Sequence, residues 1–366
     1  MADLNRNGEP RVYLDWNATA LPLAAAQDAM REEGMCWANP SSIHAEGRAA
    51  RGRLEDYRQR VAKALGVAPR AVVFTSGGTE ALQLALEGAR TTRHLVGATE
   101  HDAVRSVVAG AETIPVDADG AILLDALRER LRAGPALVSV MHANNEVGTL
   151  QPVEDIREVV REAGGLFLCD CVQTTGKLPL PEADFIALSA HKLGGPPGVG
   201  VLLVNVADQF AASRRGGGQE RGLRGGTENL PGIAGLAAAL DWAKNTRWLG
   251  AARERHTALE ERLRIAGGDI VGVGAARLGN VTMVRMPGVT AAAQLMHFDL
   301  AGFAVSSGSA CSSGKVGSSH VLKAMGFSEV AAGEAIRISS GWSTGSEELE
   351  SFADAWTALA ERRRAA

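Results

Sequence analysis

The chain has few cysteines, no long apolar run and no excess of charge of either sign. Four cysteines in 366 residues are too few for a disulfide framework. No stretch reaches the ~18 consecutive apolar residues that a membrane-spanning helix needs. Lys plus Arg number 38 and Asp plus Glu 42, a formal net charge of −4, so there is no electrostatic case for nucleic acid as the main partner. The N-terminus, MADLNRNGEPRVYLD, lacks the charged-then-apolar pattern of a signal peptide. A cytoplasmic, reduced protein with no membrane or nucleic-acid partner is expected. No 20- to 50-residue repeat and no low-complexity segment stands out. What is present is ample: 46% hydrophobic and 22% charged residues suit an ordinary globular protein with a large core. At ~150 residues per domain, the length suggests about two domains.

Glycine, 43 residues in all, is clustered in SGGTE (76–80), HKLGGPPGVG (191–200), RRGGGQERGLRGGTEN (214–229) and SSGSACSSGKVG (306–317). Between the clusters the hydrophobic period alternates. Strand-length apolar runs are AVVF (71–74), HLVGA (94–98), ALVSVM (136–141), LFLCD (166–170), FIALSA (185–190) and VGVLLVNV (199–206). Helical text separates them, as in ALQLALEGA (81–89), DALRERLRA (125–133) and VEDIREVVREAG (153–164). This alternation predicts an α/β fold, a large domain with a mostly parallel sheet flanked by helices. After about residue 248 the pattern changes to a charged helix (251–267), short strands at 280–286 and 336–341, and a closing helix at 346–364. A smaller C-terminal α+β domain is expected there.

Ligands of open α/β sheets bind beyond the carboxyl ends of the strands, at helix N-termini. Four places qualify. At F74-T75-S76-G77-G78-T79-E80 a strand runs into Gly-Gly and a helix, where backbone can approach an anion and Thr79 adds a hydroxyl. An ordinary helix cap fits the same text. LFLCD ends in Asp170, which serves either as a cap or as the carboxylate partner of a cofactor's pyridinium nitrogen. SAHK places Lys192 at a strand end among glycines, where desolvation would make it a Schiff-base nucleophile; a surface lysine is the plainer reading. Finally, Cys311 lies among Ser, Gly and Ala, with almost nothing apolar to bury it, as a reactive thiol requires. Cys36, Cys169 and Cys171 are expected to be inert core fillers. Cys169-x-Cys171 has no second Cys/His pair at ligand spacing, so no metal site is expected.

Taken together, YLDWNATA (13–20), NPSSIHAEGRAAR (39–51), SGGTE, EHDAV (100–104), VSVMHANNEVGTLQP (138–152), DCVQTTGK (170–177), SAHK, GGGQERGLRGGTEN (216–229), SSGSACSSG (306–314), SHVLKAMG (319–326) and IRISSG (336–341) resemble the cysteine desulfurases of the NifS/IscS type, in the aminotransferase class V family. The resemblance runs nearly end to end. It implies a fold type I enzyme dependent on pyridoxal 5'-phosphate, with a large domain over 16–248 and a small one formed by 1–15 and 249–366. Lys192 is implied to be the Schiff-base lysine, Asp170 the partner of the pyridine nitrogen, and His101 a ring-stacking proton carrier. Gln173 and Asn145 would contact the ring hydroxyl side. Gly78, Thr79, Ser189 and His191 would hold the phosphate, joined by Thr227 from the second subunit of a homodimer. Arg337 would clamp the substrate carboxylate bidentately, assisted by Asn17.

The implied reaction converts L-cysteine to L-alanine and leaves the sulfur on Cys311 as a persulfide, for delivery to an acceptor or scaffold protein in iron–sulfur cluster assembly or thiolation. The spacing from Cys311 to SHVL is that of the long-loop group. Trp16, Ala20 and Gly225 depart from the family pattern, which has Asn, Thr and Ser there. Alternative readings are selenocysteine lyase, another pyridoxal-phosphate reaction on the same fold, or a non-catalytic sulfur-system scaffold.

Overall fold

The computed structural model describes residues 11–214, 216–308 and 318–365. Its thirteen strands are β1 (Val12–Tyr13), β2 (Val72–Thr75), β3 (His94–Gly97), β4 (Glu112–Ile114), β5 (Leu137–Met141), β6 (Leu166–Asp170) and β7 (Phe185–Ser189), followed by β8 (Gly200–Val204), β9 (Asp269–Ile270), β10 (Val281–Arg285), β11 (Phe303–Ala304), β12 (Ser306–Ser307) and β13 (Ala335–Ser339). Seven of them form one sheet in the order β2-β8-β7-β6-β5-β3-β4. The pairs from β7 to β4 are parallel, whereas β8 runs antiparallel to both of its neighbours. Two reversals through β8 leave β2 parallel to β7. The carboxyl ends of β2, β3, β5, β6 and β7 therefore lie along one edge.

These strands read as unbroken apolar runs because helices cover both faces. Every residue of β2, β5, β7 and β8 is buried. The helix Val153–Glu162 turns Val153, Ile156, Val159 and Val160 inward at helical spacing, and its charged residues face out. The strand text anticipated each of these strands to within two residues at either end. It missed β4 and the helices Ala24–Gly34 and Ala45–Leu65.

A second, antiparallel sheet, β12-β13-β10-β9, is built from the C-terminal part of the chain, and β1 pairs in parallel with β11. Asp15 bridges to Ser339, so the N-terminal segment lies against β13. A separate apolar cluster, with Leu259, Phe298, Ile338, Phe352 and Trp356 in it, backs this sheet. Among the described residues no helix is long and apolar enough to cross a membrane.

One cysteine expectation is corrected. Cys169 and Cys171 are buried, with Sγ atoms 3.7 Å apart, but Cys36 is exposed. It follows the C-terminus of the Ala24–Gly34 helix, in a connection with exposed Met35 and Trp37 and no core to enter.

Candidate active site

At the shared carboxyl edge of the sheet lies a cavity of ≈470 Å³. Eleven of the residues singled out from the sequence line it: Asn17, Gly78, Thr79, His101, Asn145, Asp170, Gln173, Ser189, His191, Lys192 and Arg337. They come from segments nearly the full chain apart, and the parallel sheet brings most of them together by ending five strands at one place. A larger groove of ≈730 Å³ lies at the other ends of the strands, near Leu166 and Phe185, and holds none of these residues. Thr227 is exposed and does not line the cavity of its own chain. Cys311 lies outside the described residues.

Asp170 ends β6 and is buried, with Oδ1 accepting the Val172 N–H at 2.8 Å. Burial pushes its carboxyl above the ordinary range, while the Val172 N–H and the charges of His101 and Lys192 oppose the rise. A cationic ring nitrogen set against it would offset the cost of the buried charge. Lys192 follows β7 and donates through Nζ to the carbonyls of Asn17 and Ala18, each at 2.7 Å. His101 caps the short helix Asp102–Arg105, its Nδ1 accepting the Ala103 N–H at 3.0 Å. That contact places the proton of the neutral ring on Nε2. His191 Nδ1 lies 3.2 Å from Thr19 Oγ1; burial, with the Lys192 charge, pushes its pKa down to about 4, so the ring is neutral at pH 7.

Arg337, on β13 and 4% exposed, is the cationic wall of the cavity. It donates through Nη1 to the Asn145 carbonyl at 3.0 Å and through Nη2 to Asp15 Oδ1 at 2.6 Å. Asn17 donates through Nδ2 to the same Asn145 carbonyl at 3.1 Å, and its own carbonyl accepts from Gln173 Nε2 at 3.0 Å.

The cavity fits pyridoxal 5'-phosphate, the cofactor that the motif resemblance implies. Asn17 Oδ1, Gln173 Oε1 and Arg337 Nε are buried without a partner, and all three residues line the cavity. Buried polar atoms require partners, so the wall is built for a polar guest. The helix Gly78–Gly88 starts at the wall with no side-chain cap on its first N–H groups, which suits an anion. A Cβ on Gly78 would lie 2.7 Å from Val172 Cγ2. Glycine is needed there for the backbone to approach.

Three acidic residues were given no role from sequence. Asp15, two residues before Asn17 in the same motif, pairs with Arg337 across 322 residues of chain. Glu100 is buried beside His101, its Oε1 accepting the Met141 N–H at 2.8 Å, and burial pushes its pKa well up. Glu146, in the loop after β5, is 2% exposed. Among the departures from the family pattern, Trp16 is explained by contact. Its ring packs against Gly341, where a Cβ would lie 2.0 Å from the indole, and meets Trp342 at 4.8 Å between centroids.

The family model for aminotransferase class-V matches residues 12–352. A cysteine desulfurase of Cereibacter sphaeroides is 41% identical over 362 residues, covering 92% of each chain. Among solved structures, a NifS-like protein from Rickettsia africae superposes with a TM-score of 0.89 at 31% identity, over 96% of this chain and 99% of that one. A protein described as SspA in complex with cysteine has a TM-score of 0.76 at 30% identity, over 89% and 98% of the two chains. With a family match over nearly its whole length and full-length relatives at this identity, the chain belongs to the aminotransferase class V family of pyridoxal-phosphate enzymes.

Proposed function

We propose that the protein is a cysteine desulfurase, converting L-cysteine to L-alanine and passing the sulfur to Cys311. The observation that carries the reading is the convergence of Lys192, Asp170, His101 and Arg337 on one cavity with unpartnered polar walls. The names of the relatives and the cysteine complex of the SspA neighbour support the substrate.

Pyridoxal 5'-phosphate, when bound, supplies an electron sink conjugated to the substrate's α-carbon. Lys192 would hold its aldehyde carbon, Asp170 its ring nitrogen, and Gln173 and Asn145 its hydroxyl side. Gly78, Thr79, Ser189 and His191 would hold its phosphate, with Thr227 reaching in from a second copy of the chain. Arg337 orients the substrate carboxylate with help from Asn17, using the edge that Asp15 leaves open. Lys192 at Nζ takes and returns protons near the α-carbon, and His101 would stack on the ring and present the proton it carries on Nε2. The Cys311 sulfur then bonds to the substrate sulfur as the C–S bond breaks. The electron pair of that bond stays with carbon, which is protonated, so a thiol plus cysteine becomes a persulfide plus alanine.

The division into a domain over 16–248 and another formed by 1–15 and 249–366 belongs to the same reading, supported by the separate apolar cluster behind β10 and β13. A homodimer and a sulfur-accepting partner protein complete it.

The test is an absorbance spectrum of the purified protein before and after L-cysteine, with alanine measured as product. A yellow protein that bleaches or shifts and releases alanine is expected, and Lys192→Ala should be colourless. A protein that binds the cofactor but releases no alanine from cysteine overturns the reading.

A further inference from the structure

The loop between β5 and the helix Val153–Glu162 carries an acid in an unusual position. Glu146 Oε2 accepts a hydrogen bond from Ser319 Oγ at 2.5 Å. Ser319 Oγ in turn accepts the Leu322 N–H at 3.1 Å, capping the helix His320–Ala324. The same carboxylate oxygen lies against Gly308, where a Cβ would be 1.9 Å from it. Gly308 and Ser319 stand on either side of the stretch that contains Cys311, of which residues 309–317 lie outside the described residues. One carboxyl group thus touches the chain before that stretch and after it.

The loop that presents Glu146 is itself pinned. Asn144 Oδ1 accepts the N–H groups of Glu146 and Val147 at 2.8 and 3.0 Å, and its Nδ2 donates to the Thr99 carbonyl at 3.1 Å. The intervening residue, Asn145, offers the carbonyl that Arg337 and Asn17 share. A second tie runs from His320 Nε2 to the Glu100 carbonyl at 3.0 Å, next to His101. The ends of the Cys311 stretch are therefore referenced to the residues that face substrate. A buried carboxyl is a costly choice for filling space, since burial penalises its charge and an apolar side chain would pack there without that cost.

We propose that Glu146 is a positioning residue for sulfur transfer: through Ser319 Oγ and the close contact with Gly308, it sets where the Cys311 stretch leaves and rejoins the fold relative to Arg337. This rests on the desulfurase reading. The geometry needs a small residue at 308 and a hydroxyl at 319, and both are present. Its action is on the encounter between two sulfurs, not on binding of the cofactor or of cysteine.

The test uses the holoenzyme with Glu146→Ala, Glu146→Gln and Ser319→Ala. Mixing with L-cysteine in a stopped-flow instrument reports the cofactor's response, and mass spectrometry of quenched samples reports persulfide on Cys311. For Glu146→Ala, KM and the rate of the absorbance change are expected within about twofold of wild type, with persulfide formation slowed about tenfold or more, as small misplacements of reacting groups do. Glu146→Gln, which keeps an oxygen for Ser319, should retain most of the rate. Ser319→Ala should fall in the same step, and it decides the matter if Glu146→Ala fails to fold. Independently of turnover, iodoacetamide should alkylate Cys311 at least about threefold faster in Glu146→Ala, with exposed Cys36 as the internal reference. Equal slowing of both steps, or of neither, overturns the proposal. A wild-type protein that forms no persulfide on Cys311 overturns the desulfurase reading instead.

Discussion

Arg337 and Asp15 stand 2.6 Å apart, Nη2 to Oδ1, with Arg337 almost wholly buried and Asp15 more open to the cavity. The cation proposed to hold the substrate carboxylate is already half matched by a carboxylate of its own chain. Asn145 takes the Nη1 donor, and Nε is left without a partner. The pairing keeps the guanidinium oriented and relieves the cost of burying it, while the unsatisfied Nε edge remains to recruit substrate. Arg337→Ala should therefore raise KM for L-cysteine by about tenfold to a hundredfold, the worth of a charged hydrogen-bonded pair. Cofactor content should not change. Steady-state kinetics with absorbance-determined cofactor occupancy checks this, and an unchanged KM would remove the carboxylate clamp.

Gly78 is fixed by Val172. A methyl group at 78 would meet Val172 Cγ2 at 2.7 Å, and Val172 is held in turn because its N–H binds Asp170. The added carbon must push the start of the Gly78–Gly88 helix away from the cavity or press Val172 into it. Gly78→Ala should weaken cofactor retention by about tenfold, an overpacking cost of one to two kcal/mol. Val172→Ala in the same chain should restore most of it. Dialysis against a cofactor-free buffer, followed by the yellow absorbance, measures both.

The sheet was legible because its strands are buried on both faces: LFLC (166–169) and FIAL (185–188) are apolar throughout. Asp170 and Lys192 were legible for the converse reason, as polar residues terminating such runs. The β4 strand was not, since Glu112 and Thr113 are exposed and only Ile114 is buried, leaving no period to detect. The helix Ala45–Leu65 carries so many arginines that its apolar stripe is thin in the sequence, although Ala50, Leu54, Val61 and even Arg58 are buried. The contacts of Asp15 and Glu146 were out of reach for another reason. Asp15 meets β13 over 322 residues of chain and Glu146 meets Ser319 over 173, and no local pattern records a partner that distant.

Arg58 owes its burial to Glu220. Nη1 and Nη2 each donate to a carboxylate oxygen of Glu220 at 2.8 Å, and the Phe74 N–H donates to the same group at 2.8 Å. The side chains are 2% and 0% exposed. Glu220 and Arg221 adopt left-handed backbone at φ 47° and 58°, so the pair also holds a strained turn of the glycine-rich stretch before Thr227 against β2. Glu220→Ala would leave a buried guanidinium facing no full counter-charge at its terminal nitrogens, and should cost about 3–5 kcal/mol of stability. Adding Arg58→Met should cost less than the two single losses combined. Urea denaturation of the three variants is the measurement, and a loss below about 1 kcal/mol for Glu220→Ala would mean that the pair does not hold this region.

His256 links the small sheet to acid stability. Its ring is buried between Thr282 Oγ1 and Ser340 Oγ, each 2.9 Å from a ring nitrogen. Burial, reinforced by the charges of Arg277 and Arg255, pushes its pKa down to about 3. In the unfolded chain the ring would take up a proton near pH 6.5. Between those values the unfolded state holds the extra proton, so stability falls as pH falls, by up to about 1.4 kcal/mol per pH unit from this group. Below about pH 3 both states are protonated and the contribution levels off. His256→Gln, which can keep one of the two hydroxyl contacts, should be less stable at pH 7 but lose stability less steeply on acidification. Urea midpoints at pH 6.5, 5.5 and 4.5 give the two slopes. Parallel slopes would mean that His256 is already protonated in the folded protein, and that the hydroxyls of Thr282 and Ser340 serve as acceptors to a buried cation.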